Sequence, residues 1–388
     1  MNLNTSNILV FLLYAIVLAF GIFNLSYELE YSSTTFLMLL FYLIVPVGLL
    51  FVISKFGFFW SHKEDFAVLF VLLAYLLFRI ALNFNTNYNY QIVTWIFLFC
   101  AGYYRGYLYG EKDKRFTFPI AYIYFPYVVY VGLFSVSSIL LSGYARFNID
   151  YFFILPSIIP FVFIQNKRLY SLAAVTLMDI IAIYTVKRTL VIVVLLITVL
   201  FLSNYFIGRK KLQRRRGAII IASIVLIIIA VRYYSVIDAS LTGGLGNDRF
   251  ELLSEDEGGG RTGMYMRYIN LIFNGSVTDL LFGQFTGDTT GRISGFAHND
   301  LLLITYRYGI IAFILFLSFL IKVFKILIKV VKSGSLGKSY TIASISVILT
   351  LLIVGGFNCY IDTFGYTILY LFIGILFGKY RITQQAQS

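Results

Sequence analysis

Long apolar runs recur along almost the whole chain, and short polar segments separate them. Runs of about 18 or more apolar residues are typical of membrane-spanning helices, because roughly 20 helical residues cross the hydrocarbon layer of a bilayer. The pattern predicts an all-α polytopic membrane protein with about twelve transmembrane helices. The predicted spans are 8–26, 36–54, 66–82, 91–109, 118–141, 150–165, 169–186, 189–207, 217–236, 299–330, 340–357 and 362–378.

The tenth predicted span, 299–330, is longer than one crossing requires. We therefore expect residues 299–308 to form a short leading helix before the true crossing. No internal repeat or soluble module is apparent, so the whole chain, 1–388, is interpreted as a single integral membrane domain.

One polar segment, 237–298, is much longer than the connections elsewhere. Within it, Tyr265, Tyr268, Ile269 and Ile272 recur at helical spacing. This pattern predicts an amphipathic helix over 261–275 that lies on the membrane interface. Long ordered loops in compact folds are usually functional, so we expect a site near this segment.

Lysine and arginine residues fall mainly in loops on one side of the predicted bundle. Because cytoplasmic loops are enriched in these residues, the bias predicts that both termini are cytoplasmic and that the loop 237–298 is periplasmic. The net charge of +13 arises from this bias, so no nucleic-acid partner is expected. The basic cluster at 209–216 is interpreted as a contact with anionic membrane lipid.

Several arginines are predicted to lie at the outer level of the bilayer, namely Arg79, Arg188, Arg232, Arg261 and Arg267. A guanidinium group is a planar fork that matches phosphate oxygens, and a partly dry site strengthens the pairing. A ring of arginines would therefore suit a lipid-linked pyrophosphate. The alternative is that each side chain extends to lipid headgroups. Arg188 fits that alternative least well, because it lies in a very short turn on the side where positive charge is disfavoured.

His298, one of only two histidines, lies where the long loop meets a predicted span. A neutral imidazole can accept a proton from a hydroxyl nucleophile, and such general-base catalysis contributes roughly 10²–10⁴ in rate. Asp300 or another carboxylate could hold the second ring nitrogen. The alternative is a structural histidine, with Asn299 and Asp300 acting only as N-terminal helix caps.

Acidic residues offer little sign of a metal site. Asp179 lies within a predicted span, where an unpaired carboxylate is costly, so we expect it to pair with an arginine. The run Glu255-Asp256-Glu257 could bind a divalent cation, but a solvated loop is favoured because no second carboxylate cluster accompanies it. The sequence contains no Walker motif and no zinc-type Cys/His spacing. We therefore expect no metal and no cofactor.

Four short elements occur in order around and after the long loop. They are Lys187-Arg188-Thr189, Gly260-Arg261 with Tyr265, Leu281-Phe282-Gly283, and Phe296-Ala297-His298-Asn299-Asp300-Leu301-Leu302 followed by Tyr308-Gly309-Ile310-Ile311. In this order they resemble the Ser-Arg-Gly, Gly-Arg-x-x-x-Trp, Pro-Leu-x-Gly and His-Asn-x-x-Leu with Gly-Ile elements of the O-antigen polymerase and ligase superfamily. That superfamily comprises Wzy-type polymerases and their lipid A–core ligase relatives. Here Tyr265 stands in place of the tryptophan, and the third element lacks the proline.

The resemblance implies a metal-independent glycosyltransferase of the polytopic C-type class in the bacterial inner membrane. Its donor would be a glycan linked to undecaprenyl diphosphate on the periplasmic side. Arg188 and either Arg261 or Arg267 would bind the diphosphate of the leaving lipid, and His298 would activate or orient the acceptor hydroxyl. The other residues expected to bind substrate are Arg79, Arg232, Tyr265, Asn299 and Asp300.

The leading hypothesis is a polysaccharide polymerase that moves a growing glycan onto a new lipid-linked repeat unit, in the synthesis of lipopolysaccharide O-antigen or a related surface polysaccharide. Its expected protein partners are a chain-length regulator and a flippase. One alternative is an O-antigen ligase of the same superfamily. Another is a lipid-linked oligosaccharide flippase, although transporters usually show related halves and sites near mid-membrane. A membrane scaffold would leave Arg188 and His298 without a purpose.

Overall fold

The structure is a computed structural model, and its helices are the basis of the fold. It describes residues 8, 12, 46–82, 89–109, 120–126, 128–129, 149–184, 188–206, 261–284, 299–357 and 364–387. Within these ranges the chain is helical apart from short turns and contains no strand. The predicted all-α class is therefore confirmed. The predicted span 217–236, most of 8–26 and 118–141, and residues 36–45 of the second span lie outside the described residues.

The α-helices follow one another along the described part of the chain. They are α1 (Phe56–Ser61), α2 (Lys63–Leu82), α3 (Asn89–Tyr109), α4 (Ile149–Ile164), α5 (Arg168–Tyr184), α6 (Arg188–Phe206), α7 (Arg261–Phe273), α8 (Val277–Phe282), α9 (Asp300–Ser333), α10 (Lys338–Leu349) and α11 (Phe364–Gln385). A π-helical turn, Thr350–Val354, and a short turn, Gly355–Phe357, continue α10. Residues 46–54 and 120–126 are also helical.

Helix length and composition bear on membrane crossing. In the described part of the chain, one helix, α9, is long and apolar enough to cross a membrane. Shorter apolar helices are found at Ile154–Ile164, Thr189–Ser203 and Lys338–Val354. Length and composition thus identify a single candidate span among the described helices.

Helices α3 and α11 approach each other through glycines spaced four residues apart. Gly102 lies against Gly374, and Gly106 lies against Gly378, so the two helices run parallel. A Cβ atom at Gly106 would lie only 2.2 Å from the carbonyl oxygen of Ile375. Only glycine allows the two backbones to come this close. Small residues at this spacing are typical of packed membrane helices, where close backbone contact drives association.

Aromatic side chains fill the space where α3, α9 and α11 meet. The ring of Phe99 lies edge-on to Phe319, with 5.4 Å between ring centroids, and to Phe377, with 5.6 Å. The ring of Phe319 also stacks on Tyr370 at 5.6 Å. Aromatic pairs in these arrangements stabilise a core beyond the contribution of buried area, so α9 is firmly attached to the α3–α11 pair.

An ionic network around Asp65 holds one end of the bundle. Arg381 donates hydrogen bonds to both carboxylate oxygens of Asp65, at 2.8 and 3.2 Å, and Tyr103 donates a third at 2.7 Å. The Lys322 ammonium lies 3.6 Å from the same carboxylate. Burial alone would raise the pKa of Asp65, but these hydrogen bonds and positive charges lower it. Four helices, α2, α3, α9 and α11, are joined at this point.

Asp179 in α5 has a hydrogen-bond partner on the next helix. In the described part of the chain, both of its carboxylate oxygens accept from the Thr198 hydroxyl of α6, at 2.9 and 3.0 Å. The expected pairing with an arginine stays a prediction, because the side chains of Arg188 and of other arginines lie outside the described residues. A buried polar group requires a hydrogen-bond partner, but the partner need not be charged.

Candidate functional site

Helix α9 is interrupted at Gly309, near its N-terminal end. The backbone there has φ 82° and ψ 174°, a conformation essentially restricted to glycine. The interruption separates a leading segment, 300–308, from the longer continuation 310–333. The predicted leading helix over 299–308 is thus confirmed, and Gly309 is the physical reason why it ends.

Gly283 follows α8 and lies directly against Gly309. Its own φ is 83°, so it has the same requirement for glycine. A Cβ atom at Gly309 would lie 2.2 Å from the carbonyl oxygen of Leu281, and one at Gly283 would lie 2.3 Å from that of Arg307. Neither position has room for a side chain. We call this contact between Gly283 and Gly309 the glycine lock; it makes the third and fourth sequence elements one structural unit.

The interruption of α9 leaves backbone carbonyls without their usual helical donors, and neighbouring elements supply others. The backbone N–H of Gln284 donates to the carbonyl oxygen of Tyr306 at 2.9 Å. The Tyr75 hydroxyl of α2 donates to the carbonyl oxygen of Tyr308 at 2.6 Å. Because backbone polar groups away from water must be paired, these two donors stabilise the break.

Arg79 lies one turn beyond Tyr75 on α2 and reaches the same place. Its Nη2 atom is 3.5 Å from the carbonyl oxygen of Gly283, and its guanidinium carbon is 5.6 Å from the centre of the Phe282 ring. The residue is only 9% exposed. A guanidinium over an aromatic face is electrostatically attracted to it. Arg79 therefore holds the α8 side of the glycine lock while remaining at the end of the bundle where it was predicted.

Asn299 caps the N-terminus of α9. Its Oδ1 atom accepts hydrogen bonds from the backbone N–H groups of Leu301 and Leu302, at 2.9 and 3.1 Å. Its Nδ2 atom donates to the carbonyl oxygen of Gly356 at 3.1 Å. The predicted capping role is confirmed for Asn299, and the same side chain also ties the start of α9 to the turn after α10.

Asp300 is buried against that turn. It is 5% exposed, and a Cβ atom at Gly355 would lie 2.8 Å from its Oδ2 atom. Gly355 directly follows the π-helical turn Thr350–Val354. Such turns are often found at functional sites, because the wider turn redirects the residues around it. The end of α10 is therefore shaped to receive the buried carboxylate at the start of α9.

Helix α7 begins at Arg261 and packs on the leading segment of α9. The Tyr268 ring lies edge-on to that of Tyr306, with 5.1 Å between ring centroids. Tyr268 and Ile272 are buried, and Tyr265 is partly buried. The predicted helix and its apolar face are thus confirmed, although this face contacts protein.

The structure describes only some of the other predicted site residues. Arg267 is exposed on α7. Arg188 begins α6, a helix that contacts the π-helical turn. For Arg188 and Arg261 the structure describes the backbone but not the side chain. His298 and Arg232 lie outside the described residues. The structure therefore places Arg79 at the glycine lock, and it places Asn299 and Asp300 at the α10 end, about 14 Å away along the leading segment of α9.

Some residues of this site were not predicted from the sequence. Gly355-Gly356 interrupts an apolar run, and that signal could have indicated a helix end. Tyr75 and Gln284 carry no comparable signal, because their roles depend on which distant carbonyl they meet. Local periodicity cannot identify such partners.

The chemistry available at this end is that of guanidinium, amide and carboxylate groups. In the described ranges, no group of three or more His, Cys, Asp or Glu side chains could hold a metal ion. The acidic run 255–257 lies outside them. Of these groups, the guanidinium is the one that pairs with anions such as phosphate.

No protein-family model matches this chain, and a search of curated proteins found no match. A functional proposal for this end of the bundle therefore depends on the residues and contacts of the chain itself.

Proposed function

We propose that this protein is a polytopic inner-membrane glycosyltransferase that polymerises a bacterial surface polysaccharide. It transfers a growing glycan from undecaprenyl diphosphate to a new lipid-linked repeat unit at the periplasmic face. The observation that carries the proposal is the glycine lock, because it joins two of the four elements on which the family resemblance rests. Hydropathy alone would not bring those elements into contact.

The proposed reaction is a displacement at the anomeric carbon of the donor sugar. The acceptor hydroxyl forms the new glycosidic bond, the bond to the diphosphate breaks, and the hydroxyl proton passes to His298 acting as a general base. Arg188 and Arg261 or Arg267 neutralise the diphosphate as it leaves. Fixed positive charges that face a developing anion stabilise the transition state in a water-poor site.

Two features of the bundle support a membrane location, whereas the proposed number of about twelve spans comes from the hydropathy pattern. The parallel α3–α11 pair is joined by glycines at membrane-type spacing. Large apolar side chains such as Val71, Phe78 and Ile314 are exposed on the outside of α2 and α9. Large apolar side chains exposed on the outside of a helical bundle are consistent with contact with lipid.

The distribution of polar groups supports the proposed orientation. The Asp65 network and Arg79 lie at opposite ends of α2, separated by about 21 Å along the helix. The Asp65 end also carries lysines of α9, as expected for the cytoplasmic side. The opposite end carries Asn299, Asp300 and the glycine lock, where a periplasmic site is proposed.

Glycan length in a strain that lacks the gene tests the proposal. Wild-type protein should restore a ladder of long chains, whereas His298→Ala at equal protein level should give at most single repeat units. His62→Ala is the matched control and should behave as wild type. His62 lies near Asp65 at the other end of the bundle, where its Nδ1 atom is 2.8 Å from the Phe58 carbonyl oxygen.

Other phenotypes of the deletion strain would contradict the proposal in specific ways. Full-length lipid-linked polymer that fails only to reach its final acceptor would identify a ligase. Repeat units that accumulate on the cytoplasmic side would identify a flippase. A normal ladder with His298→Ala would remove the histidine from the mechanism.

A further inference from the structure

One face of α9 is exposed to the outside of the bundle. It is apolar at first and becomes positively charged toward the C-terminal end of the helix. It carries Ile314, Ile321 and Ile328, which recur every seven residues and are 55%, 45% and 42% exposed. Side chains at this spacing lie on the same side of a helix. Ile314 and Ile321 form an apolar ridge that would face lipid tails, and Ile328 lies among the charged residues that follow.

Three exposed lysines continue the same face toward the C-terminal end of α9. Lys325, Lys329 and Lys332 are spaced by four and three residues, so they follow one another along the helix surface. We call these three residues the lysine ladder. The opposite side of α9 is buried there through Val323 and Leu327, so the ladder points outward.

From this arrangement we propose that the lysine ladder binds the anionic headgroups of phospholipids in the cytoplasmic leaflet. The occupant follows from charge complementarity: the ladder is purely cationic and directly adjoins the apolar ridge. A surface that is apolar on one side and cationic on the other matches the boundary between lipid tails and anionic headgroups. The inference rests on the membrane orientation in the proposed function.

The contact between α9 and α2 places the ladder at the cytoplasmic boundary. Lys322 lies 3.6 Å from the carboxylate of Asp65, which directly precedes the predicted span 66–82. The ladder continues about 5 to 15 Å beyond Lys322 along the helix, a distance that matches the headgroup layer.

Lys322, on the same helix, differs from the ladder lysines because its ammonium contacts other parts of the protein. Its ammonium contacts the Asp65 carboxylate at 3.6 Å and donates a hydrogen bond to the Glu64 carbonyl oxygen. In the described part of the chain, none of the ladder lysines forms an ion pair. Their charges therefore remain available to a ligand outside the bundle.

The proposed contact has a consequence for the site at the other end. Helix α9 carries both the ladder and, through Asn299 and Gly309, the start of the proposed site. Lipid that holds the ladder at the cytoplasmic headgroups would set the depth of the whole helix. It would thereby hold the site level with a diphosphate in the periplasmic leaflet.

Lipid selectivity of the full-length protein tests this inference. The protein would be incorporated into bilayers of phosphatidylcholine and phosphatidylglycerol, and the lipid retained after extraction would be quantified by mass spectrometry. Wild type should retain phosphatidylglycerol preferentially. The triple variant Lys325→Gln/Lys329→Gln/Lys332→Gln should lose this preference by tenfold or more, since each lysine near an anionic surface contributes about fivefold.

A charge-conserving control separates loss of charge from loss of the lysine side chains. The variant Lys325→Arg/Lys329→Arg/Lys332→Arg keeps three positive charges at the same exposed positions. It should keep the preference, and an equal loss there would overturn the proposal. An unchanged preference in the glutamine variant with normal thermal unfolding would also overturn it. Because no glycan transfer is measured, failure here is distinct from failure of the proposed function.

Discussion

At the scale of single residues, the side chains of α2 act on backbone carbonyls. Tyr75 donates to the carbonyl of Tyr308, and Arg79 reaches that of Gly283, so neighbouring turns of α2 hold both sides of the glycine lock. These contacts make Tyr75 a positioning residue for the proposed site. Arg79 lies at the same level of the bundle, so its positive charge is next to the glycine lock.

Removal of the Tyr75 hydroxyl tests this positioning role. We expect Tyr75→Phe to destabilise the protein by about 1 kcal/mol, because the Tyr308 carbonyl loses its donor. Thermal unfolding in detergent measures the stability, and the glycan ladder should become shorter. Tyr104→Phe is the control, since the Tyr104 hydroxyl makes no hydrogen bond within the described ranges. Equal effects of both substitutions would contradict the role.

A second prediction at this scale concerns the geometry of Arg188. Arg188→Lys keeps the charge but loses the planar fork that binds two phosphate oxygens, so glycan polymerisation should fall by roughly tenfold or more. Arg168→Lys provides the same exchange at the start of α5 and should have no effect. Wild-type chain length with Arg188→Lys would exclude Arg188 from the diphosphate site.

At the scale of elements, α9 is two helical segments joined at a position that only glycine can occupy. We expect Gly309→Ala to destabilise the protein by at least about 1–3 kcal/mol, because both its φ and its contact with Leu281 disfavour a side chain. Thermal unfolding measures the loss. Gly263→Ala is the control, because a Cβ atom there would meet nothing within 4 Å. A neutral Gly309→Ala would mean that the segments are not locked.

The α3–α11 pair depends on close backbone contact in the same way. In Gly106→Ala, the new methyl group would overlap the Ile375 carbonyl, so the helices must separate at a cost of about 1–3 kcal/mol. Gly57→Ala adds a methyl group where a Cβ atom meets nothing within 4 Å, and it should be tolerated. Comparing their midpoints of thermal unfolding tests the pair. Indistinguishable midpoints would argue against it.

At the scale of the whole molecule, two ends of the bundle differ in chemistry. One is held by the Asp65 network, and the other carries the glycine lock with Arg79, Asn299 and Asp300. Helices α2 and α9 run from one end to the other. The bundle therefore links a charged anchoring end to the end where the site is proposed.

The lowered pKa of Asp65 predicts how stability depends on pH. A carboxyl whose folded pKa is below its unfolded value contributes stability above the unfolded value, near 3.8, and loses it as the pH falls through the lower folded value. Asp65→Asn should cost roughly 1.5–3 kcal/mol at neutral pH and flatten the acid side of the profile. Thermal unfolding between about pH 2 and 7 measures both effects.

Glu64→Gln is the control for this prediction. Glu64 is exposed, and its carboxylate lies 3.6 Å from the Arg381 guanidinium, so its loss should matter little. An unchanged acid profile in Asp65→Asn would show that the network does not govern stability.

Much of the fold followed from the sequence by itself. The all-α class, the leading helix over 299–308, the amphipathic helix beginning near Arg261 and the cap at Asn299 depend on periodicity and on neighbours a few residues apart. Such interactions are local, so the order of residues along the chain is sufficient to predict them.

Only the tertiary structure decided the glycine lock, the Tyr75 and Thr198 partners and the Asp65 network. Each joins residues that are distant in sequence, and each depends on a backbone approach or an unpaired carbonyl that no local pattern encodes. Asp179 is an example: its need for a partner could be predicted from the sequence, but its contact with Thr198 depends on how α5 and α6 pack.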